Sequence, residues 1–225
     1  YPTAGLALPR LPDAEMRTAT CRAFNIFVAE YFRGLSDRIT PAAVIPMHTP
    51  DEAIEELEYV TAQLGLKVVL MGSLIPRPVS ALEARTPEAA QAAPWFDALG
   101  IDSEHDYDPV WSKCAQLGLS PTFHTGGRGF GLRRSPSNFV YNHIGHFASA
   151  GEAVCKALFL GGVTRRFPVV KFAFLEGGVG WACQTVPAKA VARCCWRAVS
   201  WRTSTRATIA EAMPMTWAKI HRPLD

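Results

Sequence analysis

Apolar residues recur along this chain in two rhythms, and the alternation between them lays out its elements. From Asp13, a helix-capping residue type, Phe24, Phe27, Val28, Tyr31 and Phe32 follow at spacings of three and four, which predicts a helix whose aromatic side covers a core. Ala42 to Pro46 reads as a short buried strand. Thr49-Pro-Asp-Glu52 is a capping box with proline at the first helical position. The helix it opens is expected to run to Leu64, with Ile54, Leu57, Val60 and Leu64 along one side and Gly65 as its C-terminal cap. Leu66 to Met71 is the next buried strand.

Strand, helix and strand in so short a span make a βαβ unit, and strands that are apolar throughout suit a parallel sheet covered on both faces. The unit repeats. Asp108 starts a helix through Trp111, Cys114 and Leu117 that Gly118 closes, and the next strand ends at His124. Ser149-Ala-Gly-Glu152 reads as a second capping box. Its helix passes Val154, Leu158 and Val163 towards Pro168, with Gly161 and Gly162 allowing close approach to a neighbour, and Val169 to Leu175 is expected to be another buried strand. Strand ends therefore fall near 46, 71, 124 and 176. Residues 73 to 105, rich in Pro and Ala, look like an irregular insertion with one helix that could serve as a lid.

With 225 residues, 48% of them hydrophobic, the chain can bury one sizeable core. No apolar run is long enough to span a bilayer and the start lacks a signal-peptide pattern, so a soluble cytoplasmic protein is expected. The six cysteines show no C-x-x-C pair or regular framework, and Cys21, Cys114 and Cys155 read as reduced core residues. Residues 184–225 hold seven basic and two acidic residues, leaving 16 basic and 18 acidic for residues 1–183. This basic tail has no nucleic-acid recognition signature, so no specific nucleic-acid or membrane partner is expected.

The candidate chemistry centres on Ser120 to Gly131, where a β-prone run ends in His124 and opens into glycines, placing an imidazole at a strand's C-terminal end with room for a ligand. Glu176, followed by Gly177 and Gly178, holds the same place in the next unit and can move protons. His143 and His146, three apart, share a face if that segment is helical. Arg133 and Arg134 are candidates for holding a substrate carboxylate. His48, in a capping turn, and His105, in a polar loop, read as structural. The glycines match neither G-x-G-x-x-G nor a P-loop, so no nucleotide cofactor is expected, and no G-x-S-x-G elbow occurs.

Successive βα units with polar strand ends point to an α/β fold of the (β/α)₈ TIM-barrel type, with a flavodoxin-like sheet as the alternative. Val44-Ile-Pro, Thr122-Phe-His-Thr-Gly, Asn142-His-Ile-Gly-His-Phe, Gly162-Val-Thr-Arg-Arg-Phe-Pro168 and Phe174-Leu-Glu-Gly-Gly-Val-Gly-Trp181 resemble the amidohydrolase-related family, which includes aminocarboxymuconate semialdehyde decarboxylase. The resemblance covers about residues 1–183 and implies a partial metal-dependent barrel, expected to be incomplete at both ends. Residues 184–225 are expected to form a tail whose register is in question. It implies hydrolysis or decarboxylation of a small carboxylated or carbonyl-containing substrate. It further implies a divalent metal, zinc or alternatively manganese, with His124 as the ligand after the fifth strand. Glu176 stands where the family usually has a histidine, and no His-x-His pair occurs. The alternative is therefore a non-catalytic or truncated segment without a complete metal site. Exposed sheet edges would favour a homo-oligomer.

Overall fold

The computed structural model describes residues 3–92, 94–124 and 135–185, with side chains for residues 5–90, 94–124 and 135–182. Six strands and nine α-helices lie within these residues: β1 Ala42–Ile45, β2 Val68–Met71, β3 Ile75–Arg77, β4 Trp95–Asp97, β5 Ser120–Phe123 and β6 Ala173–Phe174, with α1 Ala14–Tyr31, α2 Pro50–Ala62, α3 Ser80–Glu83, α4 Pro87–Ala92, α5 Asp108–Leu117, α6 Phe139–His143, α7 His146–Leu160, α8 Val163–Arg166 and α9 Gly180–Thr185. β1, β2, β5 and β6 form a parallel sheet in that order, and β3 and β4 form a separate antiparallel pair. The α/β expectation holds.

Successive residues of a strand face opposite sides, and the strands use both. Ala43, Ile45, Val69, Met71 and Phe123 join the larger core with Leu57 of α2, Trp111 of α5 and Leu158 of α7. Ala42, Val44 and Leu70 face the other way and pack with Cys21 of α1. Burial on both faces is why the strands carry no polar alternation.

The start of α1 is as expected, since the Asp13 carboxylate accepts from the Met16 N–H. Its buried face is as expected only in part, with Phe24, Val28 and Phe32 packed on the core. Phe27 and Tyr31 are 58% and 68% exposed, while Arg17, Cys21, Asn25 and Val28 are buried. The helix turns this side inward because β1 lies at the sheet's edge with unpaired backbone groups to satisfy. Asn25 Oδ1 accepts from Val44 N–H at 2.7 Å and its Nδ2 donates to Val44 C=O at 2.9 Å, so one amide takes the place of a neighbouring strand.

α2 begins as predicted, with Thr49 Oγ1 accepting from Glu52 N–H. The Glu52 carboxylate, however, takes both Nε and Nη2 of Arg17, joining α2 to α1. Gly65 and Gly118 both adopt left-handed φ, at 66° and 65°, as their capping places require.

Three further expectations change. The second capping box does not form: α7 already starts at His146 behind Gly145, Ser149 Oγ donates back to Gly145 C=O inside the helix, and Glu152 pairs with Lys156 one turn on. The last strand shrinks to Ala173–Phe174, because Pro168 offers no N–H and the chain turns there, with Val170 N–H on Phe167 C=O and Val169 71% exposed. The region 73 to 105 is a built element, not an irregular loop: β3 and β4 bracket α3 and α4, and Ile75 and Leu99 enter the main core. Gly161 does permit close approach, since a Cβ there would sit 1.7 Å from the Gly100 carbonyl oxygen.

Candidate functional site

All four strands of the parallel sheet run the same way, so their C-terminal ends meet along one edge. Beyond β1 lie Met47 and His48, beyond β2 Gly72 and Ser73, beyond β5 His124, and beyond β6 Leu175 and Glu176. The ladder continues past the strand ends: Gly72 N–H donates to Ile45 C=O, and Leu175 N–H to Phe123 C=O at 2.9 Å. The second bond sets Glu176 beside His124.

His124 Nε2 lies 3.1 Å from Glu176 Oε2. The two side chains differ in access, with His124 6% and Glu176 63% exposed, so the carboxylate meets solvent and the imidazole does not. Glu176 holds a left-handed φ of 60°, a costly conformation for a side chain with a Cβ that the surroundings must enforce. Gly177 helps, because a Cβ there would come within 2.9 Å of Trp181 Nε1 and 3.2 Å of Ala148 Cα. His124 Nδ1 is buried and finds no partner among the described residues. The ring packs edge-on against Phe147, with centroids 5.1 Å apart.

His143 and His146 do not share one helix face. α6 ends at His143 and α7 begins at His146, with Gly145 at φ 77° between them. The break still brings their rings to 4.8 Å, and both contact Phe147, so they reach His124 through that phenyl ring. His146 is buried with Nδ1 against the His143 carbonyl, and His143 is exposed. Arg133 and Arg134 lie outside the described residues, as does the tail from residue 186.

A small pocket opens in front of His124. Leu6, Pro9, Arg10, Met71 and Ser73 line it together with His124, and its volume of about 10 Å³ is room for about one water. His48 stands nearby with its Nδ1 buried and unpartnered among the described residues. Burial, then the positive charges of Arg17, Arg77 and Arg10, lower its pKa to about 4, which keeps it neutral at pH 7. The insertion reaches the same edge. Arg77 donates Nε and Nη2 to Asp97 Oδ2, Nη2 also meets the Tyr107 hydroxyl, and that hydroxyl donates to Met47 C=O at 2.6 Å.

His124 and Glu176 were legible as strand-end residues. Arg10 carried no signal in its Pro-rich segment. The position of His48 two residues beyond a strand was the signal that its reading as a capping-turn residue passed over.

Among the described residues no group of three His, Cys, Asp or Glu side chains converges as a cation would require. Zinc takes three or four protein ligands. His124 and Glu176 are two donors, so the described residues do not by themselves make up the expected metal site.

The amidohydrolase family Amidohydro_2 matches residues 7–221, running past residue 183 where the motif resemblance stops. An amidohydrolase from Mycobacterium avium subsp. paratuberculosis is 25% identical, with 86% of this chain and 48% of that one covered and a TM-score of 0.59. The 2,6-dihydroxybenzoate decarboxylase from Rhizobium is 18% identical, with 93% and 56% covered and a TM-score of 0.58. The 5-carboxyvanillate decarboxylase from Novosphingobium aromaticivorans, solved with bound manganese, is 12% identical, with 85% and 49% covered and a TM-score of 0.59. The chain spans about half the length of these structures. No curated protein matches the sequence.

Proposed function

The chain belongs to the amidohydrolase family, with an α/β fold of the (β/α)₈ barrel type, and from that premise we propose that it serves a metal-dependent decarboxylase or hydrolase acting on a small carboxylated substrate. The observation that carries this reading is the 3.1 Å meeting of His124 Nε2 and Glu176 Oε2 at the C-terminal edge of the sheet, the edge where barrels of this type keep their chemistry.

Decarboxylation needs a proton at one place and time. As the bond to the carboxylate carbon breaks and CO2 leaves, the electron pair stays on the remaining carbon, which must then accept a proton. Glu176, which meets solvent, is suited to carry that proton to the carbon, and the buried His124 beside it is the residue proposed as a ligand of the metal ion. His146, with its Nδ1 committed to the His143 carbonyl, and His143 complete the wall beyond Phe147, and Arg133 and Arg134 remain candidates for the substrate's charge. The proposed ion is zinc, with manganese as the alternative that the Novosphingobium structure supports; the proton steps above use this chain's own side chains. No nucleotide cofactor is part of the proposal. The unbridged, buried Cys21, Cys114 and Cys155 support a cytoplasmic setting. The exposed Phe139, Val140, Tyr141 and Ile144 support a homo-oligomer.

The test is CO2 release from 2,6-dihydroxybenzoate, together with hydrolysis of simple amides, by dialysed protein reloaded with zinc or with manganese. Metal-dependent turnover is expected, falling about a hundredfold or more in His124→Ala and Glu176→Gln. Turnover that survives His124→Ala unchanged would overturn the assignment. A protein that binds neither ion and turns over nothing would establish the second reading, a non-catalytic barrel segment, which the lack of three converging ligands among the described residues favours.

A further inference from the structure

We propose that Trp181 is the positioning residue for Glu176, fixing its backbone so that the carboxylate stays against His124. The inference rests on the reading above, in which Glu176 carries the proton, and adds what keeps the carrier in place.

The Glu176 side chain is 63% exposed, so burial does not hold it against His124, and its φ of 60° is one that residues with a Cβ avoid. The chain on either side of it must set its course. Upstream, Leu175 N–H donates to Phe123 C=O at 2.9 Å and ties the segment to β5. Downstream, Gly177 lies against the Trp181 indole and the start of α7. A Cβ on it would come 2.9 Å from Trp181 Nε1 and 3.2 Å from Ala148 Cα, spacings that admit only glycine.

Trp181 is seated by the residues that flank the pair. It packs edge-on against Phe174, two residues before Glu176, with centroids 5.7 Å apart, and a Cβ on Gly151 of α7 would sit 3.7 Å from its Cζ2. Phe174 in turn stacks on Phe123, the residue before His124. The start of α7 serves the imidazole as well, since Phe147 meets the His124 ring edge-on. One packed group thus fixes both members of the pair, with Trp181 closing it on the Glu176 side. A misplacement of about 1 Å at a reacting group can cost on the order of a hundredfold in rate, so a residue that only positions has a measurable effect.

Two measurements test this. The first needs no activity: the melting temperatures of Glu176→Ala and Glu176→Gly, which both lack the carboxylate, are compared with Trp181 intact and with Trp181→Ala. With Trp181 intact the glycine variant is expected to melt about 2 °C higher, because only alanine is strained at a left-handed φ. With Trp181→Ala the two should melt together. Trp181→Leu, which keeps apolar bulk on Phe174, takes the place of Trp181→Ala should that variant not fold. Equal melting with Trp181 intact, or an undiminished difference once Trp181 is replaced, would overturn the proposal. The second measurement is CO2 release from 2,6-dihydroxybenzoate by the metal-loaded chain. Trp181→Ala is expected to lower kcat about tenfold with KM little changed, and Trp181→Phe to restore most of it. In a chain already carrying Glu176→Gln, Trp181→Ala should cost no more than about twofold, and a full tenfold loss there would also overturn the proposal. Absence of turnover in the wild type would remove the activity, while the melting comparison would still decide whether Trp181 fixes Glu176.

Discussion

His48 shows what the surroundings do to one side chain. Burial, and after it the positive charges of Arg17 of α1, Arg77 of β3 and Arg10 of the entry segment, disfavour its protonated form, so it titrates at about 4 in the folded protein. A histidine in an unfolded chain titrates at about 6.5. Between those values the unfolded chain binds a proton that the folded one refuses. Folding stability from this group is therefore complete above about pH 6.5 and is lost as pH falls towards 4. His48→Gln should have a melting temperature that falls less between pH 7.5 and pH 5 than the wild type's, measured by circular dichroism in parallel buffers; equal falls would show that His48 ionises freely. Sequence could place His48 just before a helix cap but not among three arginines, because those come from three different segments of the chain. His124 and Glu176 were legible because each is fixed by its own strand. Arg10 was not, since its place depends on the path of the segment before α1.

At the scale of elements, the insertion carries the clearest consequence. Its sequence reads as loose, rich in proline and alanine, yet it is fastened by a buried ion pair whose members lie on its two strands. Asp97 is fully buried: its Oδ2 accepts from Arg77 and Ser103, and its Oδ1 from Leu99 N–H. Neutralising it leaves Arg77 buried with its charge uncompensated. Asp97→Asn should cost about 3 to 5 kcal/mol, lowering the melting temperature by on the order of 10 °C, with part recovered when Arg77→Met is added. A loss of only a degree or two by scanning calorimetry would mean that the insertion stands apart from the core, as a lid would. Helix starts governed by one local capping bond, at Asp13 and Thr49, were readable. The start of α7 was not, because a left-handed Gly145, four residues before Ser149 of the apparent capping box, initiates the helix. The buried side of α1 was read only in part, for a related reason: Phe24, Val28 and Phe32 face the core, Phe27 and Tyr31 do not. Three-four spacing of aromatics locates a helix, but the bonding needs of the β1 edge chose which side of it faces in.

Across the whole molecule, the βαβ pattern was readable because parallel strands covered on both faces must be apolar throughout, and the same arrangement decides how the protein comes apart. Two apolar clusters lie on opposite faces of one sheet. Cys21 belongs to the smaller, beneath α1, and Cys114 to the larger, on α5. Neighbouring residues of β2 serve both, Leu70 the smaller and Val69 and Met71 the larger, so neither cluster can open without disturbing the strand that the other rests on. Cys155 on α7 gives a third buried thiol. Burial raises the Cys21 and Cys114 thiols to about 12, so very little reactive thiolate forms in the folded protein at neutral pH. Pulsed thiol labelling along a urea series, with modified peptides identified by mass spectrometry, should therefore show Cys21, Cys114 and Cys155 becoming reactive at one common midpoint. If Cys21 reacted at distinctly lower urea while the other two stayed protected, α1 and the entry segment carrying Arg10 would form a separate unit that opens ahead of the sheet.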